Sequence, residues 1–350
     1  MSQKNAPITT GTLEVASFSM PISVECSPFE ASFHLLAYGV DSSVNVLRRT
    51  SDVPRHVAPD DRRGPGCAIE LFQFDRVTGF IAPSRVLTMA WSPRTICPIS
   101  DAEESSVSTR LELCVACDDR FVYHYCVSET GRKQVQLLEQ PEYVNDIAFR
   151  PAESEGGVCF HVALVGDHRT AQLWNLETKQ LVDTIFLGSP GVSVRLSAHA
   201  PNTLFVAEQC GAIKFIDIRS KVIQNSVFAK ETPLTSADWN TRNPSWFGAS
   251  VGQKWALWNL DPRIGVPHHT AFGPPNSACS NRFRWSLTHQ NLFSTICAPS
   301  NVSIWDYNHQ SKRLYAAPQE AQAIGGLSWM QDAACLVAGD SRNLAFTLIA

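Results

Sequence analysis

The 350-residue sequence has no excess of basic residues and no long apolar run. Lysine and arginine together number 29 against 33 aspartates and glutamates, which gives a formal net charge of −4. Proteins that bind nucleic-acid phosphates normally show a strongly basic face, so this balance argues against direct nucleic-acid binding. No apolar stretch could span a bilayer, and residues 1–20 lack the apolar centre of a signal peptide. We therefore expect an intracellular, soluble protein with no membrane insertion.

The sequence also lacks the cysteine pattern of a disulfide-bonded domain. Its 11 cysteines are odd in number, which argues against a complete disulfide framework. Cys159, Cys210, Cys297 and Cys335 lie in alternating apolar runs, where a reduced cysteine acts as a small core residue. We expect these cysteines to be structural.

Motifs for catalysis are missing or incomplete. There is no glycine-rich phosphate loop, no paired-carboxylate arrangement and no His-Glu-x-x-His. Residues 248–252 match the Gly-x-Ser-x-Gly motif of a nucleophile elbow, with Ser250 at its centre. The segment that follows is predicted to be a strand, whereas a nucleophile elbow is followed by a helix. His268 and His269 fall in a predicted surface loop. The sequence thus predicts no enzyme, no catalytic residue, no cofactor and no small-molecule substrate.

Cys114 and Cys117, with His124 beyond them, have the spacing of half a zinc site. A zinc site needs four converging ligands, and no second pair follows at a suitable spacing. Side chains alternate along a strand, so these two cysteines would point to opposite faces. We therefore predict no bound metal.

A repeated pattern organises the chain. An apolar strand that usually ends in an aromatic residue returns roughly every 40 to 50 residues, which is the period of β-propeller blades. From Phe149 onward the steps between strand ends are 48, 42, 46 and 44 residues. The segments are 86–91, 144–149, 192–197, 234–239, 280–285 and 324–329.

A second series, further along each repeat, gives an independent count. The third strand of each repeat carries a large apolar residue, and the steps are 42, 42, 47 and 41 residues. Two concordant series predict an all-β, seven-bladed propeller. Aromatic residues at such positions normally form the core between blades. The predicted structural positions are Trp91, Phe149, Trp174, Trp239, Trp258, Trp285, Trp305, Asp306 and Trp329.

We predict one domain, residues 1–350, closed by a strand at 12–20. A propeller must close its ring, and the last blade ends at the final residue without an outer strand of its own. The inserts 48–66, 97–110 and 151–157 are interpreted as solvated loops. The approximate blades are 21–80, 81–140, 141–188, 189–230, 231–272, 277–318 and 322–350, with predicted outer strands at 69–74, 135–138, 181–186 and 222–227.

An adaptor role is the alternative to a structural role. Propellers that recruit targets to cullin ubiquitin ligases carry a Trp-Asp-x-Arg element after the third strand of a blade. Asp217 and Arg219 occupy that place here, but Ile216 replaces the tryptophan. An aspartate at such a turn can equally bond its own backbone.

Several short segments of the sequence resemble those of a known protein family. Trp305–Asp306 is the dipeptide that names WD repeats, although a Gly-His dipeptide is absent, so the repeat is degenerate. The chain resembles the thirty-seven-kilodalton nucleoporins, the small WD-repeat propellers of the Y-shaped nuclear pore scaffold. The matching segments are 27–30 (SPFE), 36–39 (LAYG), 90–93 (AWSP), 189–191 (SPG), 206–208 (VAE), 283–286 (FRWS), 291–293 (NLF) and 326–329 (GLSW).

The resemblance implies a scaffold role that supports pore assembly, mRNA export and protein import. Its implied partners are a large scaffold nucleoporin, made of a propeller and a helical solenoid, and the other subunits of the Y-shaped complex. The implied location is the nuclear pore in the nuclear envelope of the nucleus and, in some animals, the kinetochore. No family motif assigns partner-binding residues in this sequence.

Overall fold

The chain folds as a ring of seven antiparallel sheets. The computed structural model describes residues 8–14, 23–50, 73–98, 109–128, 131–151, 161–260, 267–273, 280–297, 301–308, 312–316, 325–339 and 343–349. Within these ranges every sheet has four strands, and the helical structure is a single 3-10 turn at Glu30–Ser32. The predicted all-β, seven-bladed propeller is confirmed. No helix in the described part of the chain is long and apolar enough to cross a membrane.

Each blade runs outward from the central axis. The first strand of a blade lies at the axis and the fourth at the rim, except that the seventh blade takes its fourth strand from the N-terminal segment. Strand β1 (Ile8–Glu14) belongs to the seventh blade. The first three blades contain β2 (Ser23–Cys26), β3 (Leu35–Val40), β4 (Ser43–Arg49), β5 (Phe74–Ile81), β6 (Val86–Trp91), β7 (Leu111–Cys117), β8 (Phe121–Ser128), β9 (Gly131–Glu139), β10 (Val144–Phe149), β11 (Val162–Gly166), β12 (Thr170–Asn175) and β13 (Gln180–Phe186).

The remaining strands repeat this arrangement. They are β14 (Gly191–Ser197), β15 (Ala200–Glu208), β16 (Ala212–Asp217), β17 (Ile223–Phe228), β18 (Leu234–Trp239), β19 (Trp246–Val251), β20 (Lys254–Leu260), β21 (Pro267–Phe272), β22 (Ser280–Trp285), β23 (Leu292–Cys297), β24 (Asn301–Asp306), β25 (Lys312–Ala316), β26 (Gly326–Trp329), β27 (Cys335–Gly339) and β28 (Asn343–Ile349).

The hydrophobic core lies between neighbouring blades. One cluster joins Phe205 and Phe215 of the fourth blade to Trp239, Phe247 and Trp258 of the fifth. The ring of Phe215 meets the ring of Trp239 edge-to-face, with centroids 5.2 Å apart. Large aromatic side chains supply most of the apolar area that such a junction buries. The repeat aromatics therefore hold one blade against the next.

Close packing between blades explains a small residue in the fifth blade. A Cβ atom on Gly248 would lie 2.3 Å from Cζ of Phe283 on the inner strand of the sixth blade. Real Cβ atoms do not approach another carbon so closely. Glycine is thus required at this position by the approach of the next blade rather than by a turn.

The N-terminal segment closes the ring. Strand β1 pairs antiparallel with β28, from Ile8 opposite Ile349 to Glu14 opposite Asn343. The structure therefore places this strand at Ile8–Glu14, whereas the sequence predicted 12–20, and residues 15–22 lie outside the described part. Thr10 and Thr12 are exposed, so the strand lacks the marked apolar alternation on which the prediction relied.

Two other predicted elements differ from the structure. The outer strand of the first blade is β5, Phe74–Ile81, and of the predicted 69–74 the residues 69–72 lie outside the described part. This strand contains Asp75, Arg76 and Gly79, which interrupt the apolar alternation expected of a strand. His268 and His269, predicted in a loop, lie in the outer strand β21. Of the predicted inserts 48–66, 97–110 and 151–157, residues 51–66, 99–108 and 152–157 lie outside the described residues.

We expect removal of residues 1–14 to lower the melting temperature and to cause self-association. The deletion exposes the unpaired backbone groups of β28 and opens the ring at the seventh blade. Differential scanning fluorimetry and light scattering after size exclusion would measure both effects. Thr12→Ala is the control, because it changes an exposed side chain of β1 and keeps the backbone pairing. A truncated protein that stays monomeric with an unchanged melting temperature would contradict this account of ring closure.

Candidate interaction site

A cavity opens at the propeller axis where the seven inner strands end. It encloses about 550 Å³, and we call it the axial bowl. Every blade contributes to its lining through the last residues of its inner strand. Its aromatic wall consists of Trp91, Phe149, Trp239, Trp285 and Trp329, and its charged residues are Glu25, Glu30, Arg195, Asp238, Arg242 and Arg284.

The aromatic wall is fixed by the protein itself. Nε1 of Trp91 donates to the carbonyl oxygen of Glu25 at 2.9 Å, and Nε1 of Trp329 donates to Oγ of Ser294 at 2.9 Å. Nε1 of Trp239 donates to the carbonyl oxygen of Pro244 at 2.7 Å. All five predicted repeat positions of this wall are buried, and three of them are held by these indole hydrogen bonds.

The other predicted repeat positions lie away from the bowl. Trp174, Trp258 and Trp305 occupy third strands and pack in the clusters between blades. Asp306 is buried at the end of β24, where Oδ1 accepts hydrogen bonds from Nδ2 of Asn291 and from the backbone N–H of Asn308, both at 2.9 Å. The aspartate of the WD dipeptide therefore holds the turn that follows it.

An ion-pair network that the sequence did not reveal crosses the floor of the bowl. Nη1 of Arg195 lies 2.6 Å from Oδ2 of Asp146, and its Nε lies 2.7 Å from Oδ1 of Asp238. Burial alone would lower the pKa of Arg195, but the two carboxylates raise it above its ordinary value. The arginine is held permanently charged between two blades.

The same carboxylates also bind backbone N–H groups of the following blades. Oδ2 of Asp146 accepts from the N–H of Val194 at 3.0 Å, and Oδ2 of Asp238 accepts from the N–H of Trp285 at 2.8 Å. Inner strands of neighbouring blades belong to separate sheets, so no backbone ladder joins them. Carboxylate side chains supply the missing acceptors there.

Serine side chains also accept backbone N–H groups of the following blade, two of them at further junctions and Ser236 at the same junction as Asp238. Oγ of Ser193 accepts from the N–H of Ala237, Oγ of Ser236 from that of Phe283, and Oγ of Ser328 from that of Cys26. The donor-to-acceptor distances are 3.0, 3.2 and 2.9 Å. The sequence signal was a polar residue within an otherwise apolar inner strand, but nothing in the sequence shows which amide it meets.

Glu25 and two arginines complete the axis. Burial raises the pKa of Glu25 to about 7, although Arg284 and Arg195 act to lower it. Burial and the neighbouring charge of Arg284 lower the pKa of Arg282 to about 10. Nη1 of Arg284 donates to Oγ of Ser236 at 3.2 Å and to the carbonyl oxygen of Phe283 at 3.0 Å. The ionised side chains at the axis are therefore buried against an unfavourable desolvation free energy.

Comparison with known proteins gives full-length relatives. No protein-family model matches the chain. Nucleoporin Nup37 of Mus musculus is 29% identical over 326 residues, which cover 92% of each chain. Nup37 of Homo sapiens is 28% identical over the same shares, and Nup37 of Drosophila melanogaster is 25% identical over 263 residues, 75% of this chain and 76% of the fly protein. The chain is homologous to nucleoporin Nup37. The resemblance seen in the sequence is thereby confirmed.

In this Nup37 homologue, Ser250 has no access to a substrate. It is buried within β19, and β20 follows after a turn in which Gly252 has a φ of +53°. A nucleophile elbow would present the serine between a strand and a helix. The arrangement of Ser250 is that of a packed strand residue.

The cysteine pair of the Nup37 homologue is also structural. Cys114 and Cys117 lie on β7 in two different core clusters, so they point to opposite faces of the sheet. Burial raises the pKa of Cys117 to about 12. His124 pairs instead with Glu112, with Nε2 and Oε1 3.0 Å apart. The described residues contain no group of three or more His, Cys, Asp or Glu that could hold a metal.

Other cysteines predicted to lie in core strands vary in their surroundings. Cys335 is buried in β27, as expected, but Cys210 is half-buried in the turn between β15 and β16. Cys159 and the side chain of Cys297 lie outside the described part of the structure. The turn position of Cys210 follows from the polar Glu208 and Gln209 before it, which end the strand.

We expect Glu25→Gln to change the pH dependence of stability. Because its pKa is about 7 when folded and 4.5 ordinarily, the folded protein keeps a proton that the unfolded chain releases. Stability therefore falls as the pH rises from about 4.5 to about 7. The variant should gain about 3 kcal/mol relative to the parent between pH 4.5, where the two are nearly equal, and pH 8.

Urea unfolding of both proteins at the two pH values would test this. Glu30→Gln is the matched control, since Glu30 is an exposed carboxylate of the same bowl. A Glu25→Gln variant whose stability differs from the parent equally at both pH values would contradict the assignment.

Proposed function

We propose that this chain is a non-enzymatic structural nucleoporin that serves as a scaffold subunit of the nuclear pore complex. The observation that carries the proposal is its homology to Nup37 of three animals, two of them over 92% of its length. A propeller held rigid by contacts between its blades suits a scaffold, because its surface geometry does not change when a partner binds.

Within the pore, we assign the chain to the Y-shaped subcomplex. Its main partner there is a large scaffold nucleoporin built from a propeller and a helical solenoid, and the other subunits of the complex are its neighbours. In this role the chain supports pore assembly and, through it, mRNA export and protein import. The kinetochore location implied by the resemblance has no support in the relatives' names or in the structure, and it is no part of the proposal.

Asp217, which suggested the adaptor alternative, has a local structural role. Oδ1 of Asp217 accepts hydrogen bonds from the backbone N–H groups of Arg219 and Ser220, at 3.0 and 2.7 Å. These bonds lower the pKa of Asp217 and fix its turn. Asp217 thus performs the local task of a turn-capping residue, as Asp306 does two blades later.

Affinity purification of the tagged chain from native extract, followed by quantitative mass spectrometry, tests the proposal. We expect nucleoporins of the Y-shaped subcomplex in near-stoichiometric amounts, including the large propeller-solenoid subunit. An Asp217→Ala variant, which removes the turn-capping carboxylate of the adaptor alternative, should recover the same proteins. Repeated recovery of cullin-ligase subunits, or of no nucleoporin, would contradict the proposal.

A further inference from the structure

Exposed apolar side chains are concentrated on the rim of two neighbouring blades. Nine large apolar residues of the described chain are exposed, and six of them belong to the outer strands of the third and fourth blades or directly precede one. Phe186 and Phe228 are 84% and 66% exposed. We call these six residues the apolar edge: Leu181, Val182, Phe186, Val222, Ile223 and Phe228.

The two halves of the apolar edge occupy equivalent positions on adjacent blades. Phe186 pairs with Thr170 at the start of the third strand of its blade, as Phe228 pairs with Ala212 in the next blade. Nζ of Lys221, in the turn before β17, lies 2.7 Å from Oδ1 of Asp183 on β13. This ion pair links the turn before β17 to β13, so the two groups of apolar residues lie on the rims of adjacent, connected blades.

Other outer strands of the same propeller carry charges at their edge. Strands β5, β9 and β25 contain Asp-Arg, Arg-Lys and Lys-Arg pairs, and β21 begins with a proline. Charged residues and proline are the usual means of preventing an edge strand from pairing with another chain. Strand β17 has no charged residue, and the one charge of β13, Asp183, is neutralised by Lys221. The apolar edge therefore lacks the charged residues and proline that would prevent its strands from pairing with another chain.

Unpaired positive charges lie at both ends of the apolar edge. Lys179 and Arg219 are in the turns before β13 and β17, and Arg169 and Lys230 lie beside the ends that carry Phe186 and Phe228. None of these four side chains forms an ion pair with an acidic side chain of the described residues. A monomer gains nothing from such an arrangement, whereas an acidic partner would neutralise it.

Nearby acidic side chains are already engaged. Glu177 pairs with Arg94 at 2.9 Å, and Glu231 pairs with Lys254 at 2.6 Å. Oδ1 of Asp167 accepts a hydrogen bond from Nδ2 of Asn145 at 2.8 Å. Asp167 and the exposed Asp217 keep their negative charge, because their hydrogen-bond donors are neutral groups. The four cations outnumber these two carboxylates, so the net charge around the apolar edge is positive.

We propose that the apolar edge of the third and fourth blades docks an amphipathic segment of a partner protein, in which acidic side chains flank the apolar ones. Exposed contiguous apolar surface on a soluble protein marks an interaction site. Phe186 and Phe228 would enter the partner's apolar face, and the four cations would pair with its acidic flanks. This inference rests on the proposed function, in that the partner is a subunit of the pore scaffold.

The test compares two sets of exposed residues in the same affinity purification. The double variant Phe186→Ser, Phe228→Ser should reduce the recovery of nucleoporins at least tenfold, since each buried aromatic contributes over 1 kcal/mol to binding. Ile81→Ser is the matched control, because Ile81 is 82% exposed at the end of another outer strand, β5. That variant should recover as much as the parent.

A charge variant tests the same surface without altering its apolar residues. Lys179→Glu, Arg219→Glu and Lys230→Glu together should weaken recovery at low salt, and the parent's recovery should fall as salt is raised. Equal recovery by the parent, the Phe variant and the charge variant would overturn the inference while the proposed function stood. A parent that recovers no nucleoporin would instead refute the proposed function. A parent that is a dimer, made monomeric by the Phe variant, would show a second copy on this edge and overturn the inference.

Discussion

Hydrogen bonds from backbone amides of one inner strand to side chains of the preceding blade are the contacts on which the ring depends. Within a blade, strands are joined by backbone ladders, but between blades at the axis no ladder exists. Asp146, Ser193, Ser236, Asp238 and Ser328 supply the acceptors there. A buried N–H group without a partner costs free energy comparable to a lost hydrogen bond, so these five residues satisfy a requirement of the fold.

Because of this constraint, residues at the axis make internal contacts, whereas residues at the rim are available to a partner. Arg195 pairs with Asp146 and Asp238, and the aromatic residues around the axis are buried in packing contacts, three of them with an indole hydrogen bond as well. The rim of the third and fourth blades has no such internal task, and its apolar residues face solvent. A subunit whose role is to be held in place by a larger assembly needs such a rigid centre and an exposed edge.

Sequence periodicity predicted the blades because each blade repeats the same apolar and aromatic positions, from Phe149 through Trp329. It missed residues 8–11 of β1 and 75–81 of β5, because outer strands are half exposed and carry threonine or charged residues in place of alternating apolar ones. Periodicity could not predict the Asp146–Arg195–Asp238 ion-pair network, because Asp238 is 43 residues and Asp146 is 49 residues from Arg195 in sequence. The apolar edge was predicted as strand, but periodicity does not tell which strands face solvent.

Native-state hydrogen exchange tests the central claim, that side-chain acceptors at the axis hold the blades together. The amides of Cys26, Val194, Ala237, Phe283 and Trp285 donate to these acceptors. We predict that they exchange only through global unfolding, with the highest protection in the molecule and more than the ladder amides of β13 and β17. Exchange of these five amides as fast as, or faster than, the amides of the outer strands would contradict the account.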